Sequence, residues 1–204
     1  MKELQQALSE IHTIRSQVAR GTQFRGYGPA SIALSGVLAM VVAAGQAQWM
    51  SKHPQSALTI WLAVWAGTAA VSVLLTGVET FARARREHAG FAREMVQSAV
   101  EQFLPAIMVG FLLTVVMMRV AAQECWMLPG LWQLIFSLGV FASCRFLPRQ
   151  MFAVGAWYLA AGLFCLVAGS ATRALSPWMM GIPFGIGQLL VAAVLQFGYG
   201  ESLE

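Results

Sequence analysis

The sequence predicts an all-α integral membrane protein built as a six-helix transmembrane bundle, and three observations carry that expectation. First, 58% of the 204 residues are hydrophobic and only 11% are charged, a balance far from that of a soluble domain. Second, the apolar residues collect into six runs of roughly 17–23 residues, near or above the length that crosses a ~30 Å hydrocarbon core. Third, the basic residues lie between the runs and favour alternate gaps, as the positive-inside rule requires. Little chain is left over for a separate catalytic domain.

Residues 1–27 read as an amphipathic helix and linker. Leu4, Ala7, Ile11, Ile14 and Val18 recur at spacings of three and four, which places them on one helical face. That face must be covered by the headgroup layer, by the protein's own loops or by a partner. At little more than two heptads it is marginal as an isolated coiled coil. These first residues lack the continuous apolar core of a secretory signal, so the first span is expected to act as its own insertion signal.

Residues 28–79 form a first transmembrane hairpin, with spans from Pro29 to about Met50 and from about Ala57 to Glu79. Ser31, Ser35, Ala39 and Ala43 make a strip of small side chains along which another helix can approach closely. Thr68, Ser72 and Thr76 form a hydroxyl strip. Such hydroxyls usually bond the carbonyls of their own helix, and the alternative is that they line a polar path. Glu79, at the inner end, is expected to reach water.

The longest polar interruption after the first span covers residues 80–102 and carries Arg83, Arg85, Arg86 and Arg93. It reads as a cytoplasmic amphipathic helix with Phe91, Met95 and Ala99 on its apolar face. Residues 103–144 supply a second hairpin. Pro105 is expected in the first turn of its leading span, where the missing N–H has no helical partner anyway. Arg119 is the formally charged residue well inside a span. It either takes part in a functional pair or snorkels outward along its stem past Trp126.

Residues 145–198 supply a third hairpin, opened by Arg145 and Arg149 around Pro148 and followed by a short tail, 199–204. Gly181 and Gly185 form a GxxxG beside Pro183 and Gly187, which marks close helix packing or a bent helix. Cys125, Cys144 and Cys165 show no CxxC and no close pair, so neither a disulfide framework nor a zinc site is indicated. Cys125 is expected at the outer surface and the other two within spans.

Six spans with both termini in the cytoplasm place ten of the 13 basic residues on the inner side: Lys2, Arg15, Arg20, Arg25, the four arginines of the central segment, Arg145 and Arg149. Short loops and compactness point to a prokaryotic inner membrane. A repeat also shows, because Trp49-Met50, Trp126-Met127 and Trp178-Met179 each mark an outer end and each precedes a proline. Three tandem hairpins are similar in architecture to the mitochondrial carriers. The segments PASIAL, PAIMVG and PRQMFA lack the acidic residue those carriers bear after the odd-helix proline, so membership is not indicated.

Catalytic and cofactor signatures are missing from this reading. His12, His53 and His88 fall in different polar segments, no HExxH, GxSxG, P-loop or EF-hand pattern occurs, and no carboxylates pair at membrane depth. The expectation is a non-enzymatic protein without cofactor or nucleic-acid partner, embedded in the lipid bilayer. It would act as a scaffold or accessory subunit bound to a membrane protein, a cytoplasmic protein or a second copy of itself. The competing expectation is a small channel or transporter with a path near Arg119, Thr68, Ser72 and Thr76.

Overall fold

A computed structural model of the protein describes residues 28–52, 57–87, 89–144, 148–172 and 175–197. Every regular element among them is helical, and we number the α-helices α1 (Pro29–Lys52), α2 (Ala57–Glu87), α3 (Ala89–Val120), α4 (Leu128–Ser143), α5 (Met151–Thr172) and α6 (Trp178–Phe197). A 3₁₀ turn, Ala122–Met127, leads into α4. Helices are what such a sequence must form in hydrocarbon, where each backbone N–H and C=O has to be satisfied within its own segment. Five stretches are long and apolar enough to cross a membrane, and the sixth, Leu104–Val120, is a shorter apolar stretch inside α3. The amphipathic face of Leu4, Ala7, Ile11, Ile14 and Val18 lies outside the described residues, as do Arg145 and the tail.

Three local expectations change. The basic central segment is divided between two helices: α2 runs on to Glu87, and α3 begins at Ala89 and runs unbroken into the third span. Residues 80–87 contain neither glycine nor proline, and propensity carries α2 beyond its apolar run. Pro105 therefore stands well inside a continuous 32-residue helix rather than in a first turn. Cys125 is buried, not surface-exposed, because the tight 3₁₀ turn folds it inward against the outer ends of the helices.

The helices pack in chain order as a ring, each against the next, and α6 closes the ring against α1. We call the end holding Gly28 and Arg149 inner and the other outer. All three Trp-Met pairs fall at the outer end. Packing is uneven around the ring: α1–α6 and α4–α5 are the most extensive contacts and α2–α3 is the slackest between consecutive helices. The outer core draws on α1, α2, α3, α4 and α6 through residues such as Ala43, Trp61, Met117, Leu128 and Met180. The inner core, with Ile32, Val140, Val154, Tyr158 and Val191, draws on α1, α4, α5 and α6 alone.

Candidate functional site

The tight seams are built on small residues. At α1–α6, a Cβ placed on Gly181 would collide with Ala43 and lie 3.1 Å from the Ala39 carbonyl oxygen, and one placed on Gly36 would lie 2.9 Å from the Gly185 carbonyl oxygen. Ser31, Ser35, Ala39 and Ala43 are all buried. At α4–α5, Gly130 and Gly162 face one another with the same closeness, each Cβ position lying 2.8–2.9 Å from the other's carbonyl oxygen. Approach at that range needs backbones without side chains between them, which is why glycine is retained despite its cost in a helix.

Elsewhere the glycines are open. Gly45 on α1, Gly67 and Gly77 on α2 and Gly110 on α3 would each accept a Cβ with nothing within 4 Å. Only 11% of the α2 span is buried, against 33% to 44% of the other four long spans. Gly67, Val71, Leu74 and Val78 are spaced by four, three and four residues, which puts them on one exposed line of α2.

Proline stands inside α6, in its second turn from the outer end. Pro183 has no N–H to give to the Met179 carbonyl, and two side chains from other helices supply it instead. Gln133 Nε2 on α4 donates to Met179 O at 2.7 Å, and Cys165 Sγ on α5 donates to the same oxygen at 3.4 Å. Trp157 Nε1 donates to Pro183 O at 3.0 Å. Below this, Tyr158 is fully buried against Phe136 and Phe184, with ring centroids 4.7 Å and 5.3 Å away, and its ring lies over Gly187. Its hydroxyl is beside Gln188 without making a hydrogen bond of good geometry.

At the inner end Glu79 reaches from α2 to the start of α1. Its Oε2 accepts from Ser31 N at 3.1 Å, and the carboxylate lies over Gly28. An acid there satisfies a helix N-terminus that has no intrahelical acceptor and faces the positive end of the helix dipole. At the outer end Trp61 stacks at tilted angles on Trp65 and Trp132, with centroids 6.2 Å and 5.6 Å away. Trp132 Nε1 donates to Thr114 Oγ1 at 2.9 Å, and Thr114 donates to Gly110 O at 2.7 Å.

Of the residues singled out from sequence, the small ones are brought together and the polar ones are not. Gly181 meets the α1 strip at Ala39 and Ala43, and Gly185 meets Gly36 and Met40 beside it. Thr68 Oγ1 donates to Val64 O at 2.8 Å and Thr76 Oγ1 to Ser72 O at 2.9 Å, so both turn back onto their own helix. Ser72 is half-buried between them, and Arg119 is exposed in the last turn of α3. Arg83, Arg85 and Arg86 fall on the inner extension of α2 and Arg93 near the start of α3, while Arg149 is exposed at the inner end. Gln133, Gln46 and Glu79 were not marked as site residues by motif reasoning. A glutamine alone in an apolar run, or a proline four residues after a carbonyl in the same span, is the signal that finds such a group. Among the described residues no three His, Cys, Asp or Glu side chains come together in a metal-binding group.

Fold and packing define a polytopic helical membrane protein with two seams built on glycine and one helix, α2, whose span is little buried. Comparison with known proteins gives no match, whether to a family model, to a curated protein or to a solved structure.

Proposed function

We propose that the protein is a non-enzymatic scaffold or accessory subunit of a membrane complex, and that a transmembrane helix of its partner packs on the exposed face of α2. One observation supports the reading most: α2 is the least buried of the long spans, 11% against 33% to 44%, and its glycines Gly67 and Gly77 face open space, whereas the glycines of the tight seams meet another helix's backbone. A glycine inside a helix costs about 1 kcal/mol relative to alanine, and membrane helices use it where another backbone comes close. The setting we favour is a prokaryotic inner membrane with both termini in the cytoplasm, supported by the basic residues gathered at one end of the six runs. The amphipathic stretch 1–20 offers a second, cytoplasmic contact.

The test is purification from native membranes in mild detergent. A stoichiometric membrane protein that is retained by the wild type and released by Gly67→Leu supports the reading. A homogeneous particle with no second protein counts against it.

A second reading, a small-solute channel or transporter, has its own support in the polar groups near α6. Gln133 Oε1 and the Tyr158 hydroxyl are buried without a hydrogen-bond partner among the described residues. Flux through the purified protein in liposomes that is lost in Gln133→Leu would favour it over the scaffold.

A further inference from the structure

Three buried polar side chains in the outer core belong neither to the exposed face of α2 nor to the surroundings of Pro183. Gln46 is 6% exposed and both polar atoms of its amide lack a hydrogen-bond partner among the described residues. Trp61 and Trp65 are 0% and 4% exposed, and neither indole N–H has an acceptor among the described residues. Gln46 precedes the end of α1 by six residues, and Trp61 and Trp65 follow the start of α2 by four and eight, so they lie about 9 Å, 6 Å and 12 Å from the outer ends of antiparallel neighbours. Ala43 and Met50, one turn to either side of Gln46, both pack in the cluster that contains Trp61 and Trp65.

Hydrocarbon and aromatic rings offer these groups no hydrogen bonds, and leaving them unmade is costly. Their chemistry restricts what can satisfy them. Gln46 Nε2 and the two indoles are donors, while Gln46 Oε1 is an acceptor. A carboxylate or phosphate would leave the carbonyl oxygen unmatched, and a cation could not accept from the indoles. Water both accepts and donates, and it is the smallest molecule that can do both.

We propose that Gln46, Trp61 and Trp65 together hold ordered water at the outer end of the α1–α2 interface. The first hairpin is then fastened by polar contacts at both ends, by Glu79 and Ser31 at the inner end and by this hydrated site at the outer.

The full-length protein in lipid nanodiscs provides the test. Ultraviolet resonance Raman difference spectra, wild type minus Trp61→Phe and wild type minus Trp65→Phe, isolate the two indoles from the other tryptophans. Both are expected at the hydrogen-bonded N–H position, and both are expected to shift to the free position in Gln46→Leu, which keeps the indoles and removes the amide. An infrared O–H band that moves in H₂¹⁸O and is lost in Gln46→Leu identifies the occupant as water. Free indole N–H signals in the wild type, or bound signals with no isotope-sensitive O–H band, overturn the proposal.

Discussion

The amide nitrogen of Gln133 on α4 donates to the backbone carbonyl of Met179 on α6 at 2.7 Å, taking the place of the N–H that Pro183 lacks. Two helices are thus joined at a fault that one of them carries. Gln133→Leu is expected to lower stability by about 1 kcal/mol, the scale of an interhelical hydrogen bond in a membrane. Pro183→Ala gives α6 its own donor, so the cost of Gln133→Leu should shrink in that background. A double-mutant cycle by thermal or denaturant unfolding measures the coupling.

Glycines in the closed seams and on the exposed face of α2 should respond oppositely. Gly181→Val places a branched side chain against Ala43 and the Ala39 carbonyl, and about 1–3 kcal/mol of overpacking is expected. Gly67→Ala meets nothing within 4 Å and should raise the stability of the isolated chain by up to about 1 kcal/mol through helix propensity. Thermal unfolding of the two purified variants gives the comparison.

At the inner end, Glu79 caps a helix other than its own. Glu79→Leu removes the acceptor of the Ser31 N–H and should cost about 1 kcal/mol, as loss of a helix cap does. Glu79→Gln keeps an oxygen and loses the charge, so it should cost roughly 0.3–1 kcal/mol, the scale of a charge at a helix terminus. Chemical unfolding of both variants in the same detergent separates the two contributions.

Cys125 and Cys165 are buried, whereas Cys144, at the inner end of α4, is half-buried. Burial pushes the Cys144 thiol above its ordinary range, so its reactive thiolate is scarce near neutral pH and increases as pH rises. Maleimide labelling of the folded protein should therefore modify Cys144 first, at a rate that climbs with pH. Mass spectrometry of the labelled peptides identifies the site.

The strip from Ser31 to Ala43 and the pair Gly181 and Gly185 are each legible in the sequence, because small residues every fourth position must lie on one face. That they meet each other is not legible, since pairing of the first helix with the last comes from closure of the ring and leaves no local period. Cys125 lies between Glu124 and Trp126 in what reads as an outer turn, and only the tightness of that turn buries it. Thr68 and Thr76 follow the ordinary rule for hydroxyls in helices and bond to their own carbonyls. Gln133 escapes motif reasoning because its role depends on a proline fifty residues further along the chain.

The measurement that bears most directly on the exposed face of α2 is site-specific photocrosslinking in native membranes. A photoreactive residue at Val71 or Leu74, exposed on the line of Gly67, is compared with one at Phe164 or Val167, exposed on α5. A discrete adduct to one membrane protein from Val71 and Leu74, absent from Phe164 and Val167 and lost in Gly67→Leu, is the result expected of an accessory subunit. Lipid adducts alone from all four positions would contradict it.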